Sequence, residues 1–196
     1  MTEMKRAIPQ GLQSLAMTNL RIFMTKQELR LYFKEFLIKN QDKINFDLVK
    51  NSLINKISRL LQELKVKTVG LYFPLKCEIN LLEITNLHPE IRFFLPKIIK
   101  NEIKYCSYHY NDQLALGAFK TYEPINNDFF IPELVIIPGL AFSKEGYRLG
   151  YGQGHFDRYL NNNRNILTAG VCLKEQLIDN FLIESHDRKL KFMISV

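Results

Sequence analysis

Apolar residues recur at helical spacing in two stretches of the first third of the chain. The first stretch follows a capping box, in which the side chains of Thr25 and Glu28 satisfy each other's free backbone N–H groups. In the second, over residues 46–64, apolar positions lie three or four residues apart, and Lys50 falls outside that stripe. The pattern predicts a helix that begins at Lys26 and a second, longer helix.

From residue 68 onward, short apolar runs alternate with helical patterns. We expect strands at residues 68–73, 91–95, 103–108, 134–137, 167–172 and 191–196. We expect further helices just after residues 80–83, near 156–161 and near 175–181. This alternation indicates an α/β fold with a mostly parallel sheet that is covered on both faces. Without repeats or linkers, residues 23–196 are predicted to form one domain after a flexible N-terminal extension of residues 1–22.

Apolar residues make up 46% of the 196-residue chain, which is enough to fill one core. No apolar run approaches the roughly 20 residues of a membrane helix, and we expect no signal peptide. Cys77, Cys106 and Cys172 are odd in number and form no C-x-x-C pair, so we interpret them as thiols rather than zinc ligands. These features favour a cytoplasmic protein that binds no membrane.

The formal net charge of +7 is the feature of the composition that most needs an explanation. It is compatible with binding of nucleic acid, of an anionic membrane surface or of a polyanionic small molecule. Most basic residues are spread along helical patterns, as on a solvated face, and no recognisable nucleic-acid module is present. Charge alone leaves these alternatives open.

The most unusual segment follows the strand predicted at 134–137. Five of the nine glycines fall within residues 138–160, and three of them alternate in Gly150-Tyr151-Gly152-Gln153-Gly154. Such a backbone can adopt positive φ and present its N–H groups to a phosphate before the next helix begins. Arg148 adds a cation suited to phosphate oxygens, and Asp157 adds a carboxylate suited to Mg²⁺. The order of these features favours a nucleotide-phosphate site, with a ligand-free glycine turn as the alternative.

Lys26 and Arg30 lie on one face of the first helix, four residues apart. Cations near a helix N-terminus oppose the macrodipole, at a cost of about 0.3–1 kcal/mol each. An anion that docks at this face would offset that cost. The alternative is a pair of exposed cations beside Glu28.

Residues 138–160 resemble the signature of the 5-formyltetrahydrofolate cyclo-ligase family, also called methenyltetrahydrofolate synthetases. That signature consists of P-G-x-x-F and then R-L-G-x-G-x-G followed by two aromatic residues and Asp. Other segments from Lys26 onward also resemble the family, and they include K-x-x-L-R at 26–30, F-x-P-[RK] at 94–97, E-P at 123–124, K-E-Q at 174–176 and H-D at 186–187. Glu78-Ile79 resembles the family's acidic motif after the first strand.

The resemblance implies a three-layer α/β/α sandwich and a specific reaction. ATP phosphorylates the formyl oxygen of 5-formyltetrahydrofolate, N10 attacks the activated carbon, and phosphate leaves. The products are 5,10-methenyltetrahydrofolate, ADP and phosphate. The implied partners are ATP and a folate, which carries a glutamate or polyglutamate tail, and Mg²⁺ is the implied cofactor. We expect a monomer that binds no nucleic acid.

The resemblance also implies residue roles. Arg148 and Lys26 are the predicted catalytic residues. The predicted ATP contacts are Lys26, Arg30, Arg148, Leu149, Gly150, Tyr151, Gly152, Gln153, Gly154, His155 and Phe156. The predicted folate contacts are Phe73, Glu78, Tyr151, Gly152, Gln153, Gly154 and His155, with Glu78 accepting hydrogen bonds from the pterin ring. Asp157 and Asp187 are the predicted metal ligands.

Three positions depart from the family pattern. Ser143 stands where Asp is usual, His155 replaces the first of two tyrosines, and Lys191 stands where an acidic residue is often found. Two alternatives of other kinds remain: a basic nucleic-acid-binding module, and a relative of the same fold without this reaction. The second includes a catalytically inactive folate- or nucleotide-binding protein, a sugar-phosphate isomerase and an acyl-transfer enzyme.

Overall fold

The structure is a computed structural model that describes residues 24–117 and 121–196. The predicted flexible extension of residues 1–22 lies outside the described residues.

The helices are α1 (Lys26–Lys39), α2 (Phe46–Leu64), α3 (Ile84–Leu87) and α4 (His155–Asn162). The strands of the main sheet are β1 (Thr68–Gly70), β2 (Arg92–Ile99), β3 (Glu102–Tyr108), β6 (Phe129–Phe130), β7 (Leu134–Ile137), β10 (Leu167–Cys172) and β12 (Phe192–Ser195). Two smaller sheets consist of β4 (Leu114–Leu116) with β5 (Tyr122–Pro124), and of β8 (Ala141–Ser143) with β9 (Arg148–Leu149) and β11 (Leu177–Ile178).

Both long helices predicted from apolar spacing are present, and α1 begins at the predicted capping box. The backbone N–H of Thr25 donates to Oε2 of Glu28 at 2.8 Å, and the backbone N–H of Glu28 donates to Oγ1 of Thr25 at 3.3 Å. Within the described ranges, no helix has both the length and the apolar character needed to cross a membrane.

The main sheet has the order β12-β10-β7-β1-β2-β3-β6. The five strands from β12 to β2 run parallel, and β3 and β6 continue the sheet antiparallel at one edge. This arrangement confirms the prediction of a mostly parallel central sheet. The β2–β3 hairpin turns tightly through Lys100 and Asn101, which both have positive φ.

The core has one layer on each face of the sheet because successive side chains of a strand point to opposite sides. In β7, Leu134 and Ile136 pack in the cluster that includes the buried faces of α1 and α2. Val135 and Ile137 pack in the other cluster, with side chains of α4 such as Leu160. The fold is therefore the predicted three-layer α/β/α sandwich.

The prediction of a helix near residues 175–181 is wrong. A short 3₁₀ turn, Lys174–Gln176, is followed directly by β11, which pairs with β8. The buried side chain of Gln176 explains this difference. Its amide donates to the carbonyls of Gly139 and Leu140 at 2.9 and 3.1 Å, and its Oε1 accepts the backbone N–H of Leu173 at 2.8 Å. These bonds hold the segment against the loop after β7, where a continuing helix could not pair with β8.

The first predicted strand is also shorter than expected. β1 ends at Gly70, although the N–H of Leu71 still donates to the carbonyl of Phe94 at 2.8 Å. The following residues leave the sheet and carry Phe73 to its carboxyl edge. The short helix expected after residues 80–83 is present, but it is only α3, and no side chain caps it.

Candidate active site

A cavity of about 340 Å³ opens where the chain leaves β1 and β7. Ligands bind at such positions in open α/β sheets because the loops beyond the strand ends leave a crevice. All the residues that the sequence assigned to the site line this one cavity: Lys26, Arg30, Phe73, Glu78, the continuous run Arg148–Asp157, and Asp187. Side chains separated by most of the chain length are thus brought to a single place.

The three alternating glycines of the loop differ in their backbone conformation, and only two of them have the predicted positive φ. Gly152 and Gly154 have φ values of +99° and +64°, which favour glycine. Gly150 does not have positive φ, so the expectation for this residue was wrong. A Cβ atom there would lie 2.5 Å from Nη1 of Arg148, so Gly150 is needed for the close approach of that guanidinium.

Arg148 is buried beneath the loop, at the start of β9. Its Nη2 donates to Oδ2 of Asp157 at 3.2 Å, and its guanidinium lies 5.1 Å from the ring centroid of Phe156. Its Nε is buried and has no hydrogen-bond partner among the described residues. A buried donor without a partner is costly, which is a reason to expect a ligand or water oxygen here.

Lys26 is held by carboxylates from the C-terminal segment. Its Nζ lies 2.6 Å from Oε2 of Glu184 and 2.6 Å from Oδ2 of Asp187, and only 9% of Lys26 is exposed. The hydrogen bond from Lys26 lowers the pKa of Glu184. Nε of Arg30, one turn further along α1, donates to the carbonyl of Gly150 at 3.0 Å. The first turns of α1 are thus connected to both the glycine loop and the C-terminal segment.

Asp157 and Asp187, the predicted metal ligands, are both paired with cations in this structure. Asp157 accepts from Arg148 and Asp187 from Lys26. Potential ligand atoms of Glu184, His186 and Asp187 lie within 4.8 Å of one another. Asp157 is not part of this group. Of its three members, the carboxylates of Glu184 and Asp187 offer the oxygen donors that Mg²⁺ prefers. Sequence reasoning did not identify Glu184, which no motif quoted above includes.

Glu78 occupies a different environment in the same cavity. Burial raises its pKa to about 7, against hydrogen bonds from the backbone N–H of Leu75 and the side chain of Tyr151, and against the charge of Arg148. The N–H of Leu75 lies 2.9 Å from Oε2 of Glu78. Burial also raises the pKa of Tyr72, whose hydroxyl donates to the carbonyl of Ile79 at 2.7 Å. Glu78 therefore changes charge near neutral pH.

Aromatic and aliphatic side chains form the wall near Glu78. The rings of Phe73 and Tyr122 are 5.2 Å apart at an interplanar angle of 53°. Elsewhere the cavity lining also includes Pro96, Ile98, Ile103 and Glu123, of which Ile98 and Ile103 pack in the same cluster as Phe156. The site residues predicted from the sequence did not include these four residues or Tyr122. Pro96 and Glu123 nevertheless belong to the F-x-P-[RK] and E-P segments, so the motifs held a signal for them.

The departures from the family pattern fall into two kinds. Ser143 is buried outside the cavity lining, and its Oγ accepts the backbone N–H of Tyr147 at 3.1 Å, a role that an Asp carboxylate would also fill. Lys191 is exposed and outside the lining as well. His155 does line the cavity, and burial lowers its pKa, which favours the neutral imidazole.

Comparisons with known proteins agree with this geometry. A 5-formyltetrahydrofolate cyclo-ligase of Mycoplasma pneumoniae is 32% identical over 136 residues, which are 66% of this chain and 73% of that protein. The structure of 5,10-methenyltetrahydrofolate synthetase from Aquifex aeolicus superposes with a TM-score of 0.74 at 28% identity and covers 88% of this chain and 90% of its own. For a Mycoplasma pneumoniae 5,10-methenyltetrahydrofolate synthetase the TM-score is 0.66 at 26% identity, with 87% and 98% covered. The sequence profile of the 5-formyltetrahydrofolate cyclo-ligase family matches residues 23–196, and the chain belongs to that family.

Proposed function

We propose that this protein converts 5-formyltetrahydrofolate and ATP to 5,10-methenyltetrahydrofolate, ADP and phosphate. One observation carries the proposal beyond family membership. A single cavity joins a cation-rich glycine loop, suited to a triphosphate, to an aromatic wall with a carboxyl group, suited to a reduced pterin.

The reaction has two parts. The formyl oxygen takes the γ-phosphoryl group as its bond to ADP breaks. N10 then attacks the formyl carbon, the bond from that carbon to the phosphorylated oxygen breaks, phosphate leaves, and N10 loses its proton. Such a transfer needs little covalent help from the protein, which must hold the reactants in line and neutralise developing charge.

Arg148, Lys26 and Arg30 supply the positive charge at the loop end of the cavity. The guanidinium of Arg148 is fixed by Asp157 and Phe156, so it needs little rearrangement to bind a phosphate oxygen. Lys26 contributes a second cation from α1. These groups stabilise the transferring phosphoryl group and then the departing phosphate.

Asp187 and its neighbour Glu184 would hold Mg²⁺, and we assign Asp157, in the first turn of α4, as a further ligand only by its place in the family motif. When bound, Mg²⁺ neutralises charge on the phosphate oxygens. Lys26 now occupies the carboxylate oxygens of Asp187 and Glu184. In the loaded enzyme it releases them, and its ammonium becomes available to the triphosphate.

Glu78 and the aromatic wall form the folate end. The carboxylate of Glu78 accepts hydrogen bonds from N–H groups of the pterin, while Phe73 and Tyr122 pack against its ring. Tyr151 to His155 form the wall shared by the two substrates. In this proposal the formyl oxygen and the γ-phosphoryl group meet beside the loop.

The direct test is to mix protein, Mg-ATP and 5-formyltetrahydrofolate and follow the near-ultraviolet absorbance of the methenyl product. We expect product and ADP in equal amounts, and none when ATP is replaced by a non-hydrolysable analogue. Absence of methenyl product at any Mg-ATP concentration would overturn the proposal and favour an inactive relative. A relative without catalysis is less favoured because this chain retains Lys26, Arg30 and both predicted metal carboxylates.

The nucleic-acid alternative depends on the net charge of +7 alone, and an ATP-independent, salt-sensitive shift of oligonucleotides would favour it.

We also propose a cytoplasmic monomer that accepts polyglutamylated folate. Light scattering of the purified protein gives its molar mass and tests whether it is a monomer. Comparison of KM for mono- and pentaglutamyl substrates tests whether the longer tail is accepted.

A further inference from the structure

Three groups meet beside the N-terminus of α4: the imidazole of His155, the guanidinium of Arg158 and the backbone carbonyl of Asn101. Nη2 of Arg158 lies 3.2 Å from the Asn101 oxygen and 3.0 Å from Nδ1 of His155. Nδ1 of His155 is itself 3.3 Å from the same carbonyl oxygen. This triangle connects the β2–β3 hairpin turn to the first turn of α4.

The chemistry of the three groups decides which atom carries the hydrogen. A guanidinium has only donors, and Nη2 has two hydrogens, one for each neighbour. A carbonyl oxygen only accepts. Nδ1 of His155 cannot accept from Arg158 and also donate to Asn101, and the bond from Arg158 is the shorter. We take Nδ1 as the acceptor of the shorter bond, which puts the hydrogen of the neutral ring on Nε2.

The surroundings hold this arrangement in place. Asn101 has a φ of +68° after Lys100 at +48°, so the tight hairpin turn directs its carbonyl toward α4. A Cβ atom at position 154 would lie 2.9 Å from Nη1 of Arg158, so Gly154 leaves room for the guanidinium. Replacement of Gly154 would displace Arg158 from His155.

We propose that Arg158 is a positioning residue that holds His155 as the Nε2–H tautomer, so that the imidazole donates a hydrogen bond to a phosphate oxygen of ATP. The inference rests on the proposed function of the cavity. The family usually has a tyrosine at position 155, and a tyrosine has no ring tautomer to be set. A neutral histidine donates from Nε2 only when Nδ1 is the acceptor, an arrangement that Arg158 provides.

The experiment is a double-mutant cycle with the full-length protein, in which KM for ATP and kcat are measured separately. Arg158→Met is expected to raise KM for ATP roughly three- to tenfold, the usual range for one hydrogen bond. His155→Tyr supplies the background without a histidine, and its own KM for ATP is the reference within that background. In the His155→Tyr background, Arg158→Met is expected to have no effect. Arg164→Met, which removes an exposed arginine near the end of α4, is the matched control and should leave KM unchanged.

Nitrogen NMR of histidine-labelled protein gives a second readout, which does not depend on turnover. We expect a hydrogen on Nε2 and none on Nδ1 of His155 in the wild type, and a hydrogen mainly on Nδ1, donated to the carbonyl of Asn101, in Arg158→Met. If Arg158→Met raises KM equally in the His155→Tyr background, or if the tautomer is unchanged, the inference is wrong. Failure of the wild type to form methenyl product would instead overturn the proposed function, while the NMR result would still decide the tautomer.

Discussion

The two ends of the cavity hold carboxyl groups in different surroundings. At the loop end, Asp157 is paired with Arg148 and Asp187 with Lys26, at 3.2 and 2.6 Å. At the folate end, Glu78 accepts from an amide N–H and a phenol, and burial raises its pKa to about 7. The chemical group is the same, and the presence or absence of an adjacent cation separates the two ends.

Under the proposed function, this difference separates the two binding tasks of the cavity. The loop end is already organised by ion pairs, so ligand binding there exchanges partners among charges that are present. The folate end is apolar and changes charge near neutral pH, so binding of N–H groups there is coupled to pH. Four substitutions test this contrast, and they are described in order of decreasing expected effect.

Arg148→Ala should have the largest effect, because it removes the fixed cation of the loop end. We expect kcat to fall by about 10²–10³, as for the loss of a preorganised donor to developing charge. Circular dichroism checks that the fold is intact, and Arg164→Ala is the control for loss of a positive charge. Undiminished ring closure in Arg148→Ala would show that the loop end is not where phosphoryl transfer occurs.

Asp157→Asn should weaken the dependence on Mg²⁺. We expect the Mg²⁺ concentration for half-maximal turnover to rise by roughly tenfold or more, since loss of a group at a metal site typically costs about that much. Asp128→Asn, at an exposed carboxylate outside the cavity lining, is the matched control. An unchanged titration would remove Asp157 from the metal site and leave it as the partner of Arg148.

Glu78→Gln tests the pH coupling of the folate end. Because burial raises the pKa of Glu78 to about 7, the acceptor carboxylate predominates above that pH and is progressively lost below it. We expect KM of the wild type for the folate to rise about tenfold between pH 8 and pH 6, following the ionised fraction. In Glu78→Gln this dependence should disappear. Persistence of the same profile in the variant would assign it to another group.

Tyr122→Leu should have the smallest effect, confined to the folate end. It removes an aromatic contact with Phe73 and one face of the wall, a loss of about 0.5–1.5 kcal/mol. We expect KM for the folate to rise roughly threefold and KM for ATP to stay constant. An equal rise in both constants would mean that the two ends do not act separately.

Local patterns in the sequence predicted a large part of the fold and the residues that line the loop end of the cavity. The capping box at Thr25 and Glu28 and the apolar stripe of α2 depend on neighbouring residues only, and both are present. The helix predicted near 175–181 failed because the long-range bonds of Gln176 outweigh local helical spacing. The folate end was incompletely predicted, since Tyr122 and Pro96 come from separate strands that only the folded chain brings to one wall.

The sequence by itself determined the family, the layered α/β architecture and the glycine loop with its arginine, because these depend on periodicity and on motifs that are contiguous in the chain. The tertiary structure alone decided the partners of the charged groups. Lys26 meets Asp187 across 161 positions, and Gly150 is required for the guanidinium of Arg148 rather than for positive φ. The tertiary structure also decided the charge state of Glu78, since burial and the distance to a cation are properties of the folded chain.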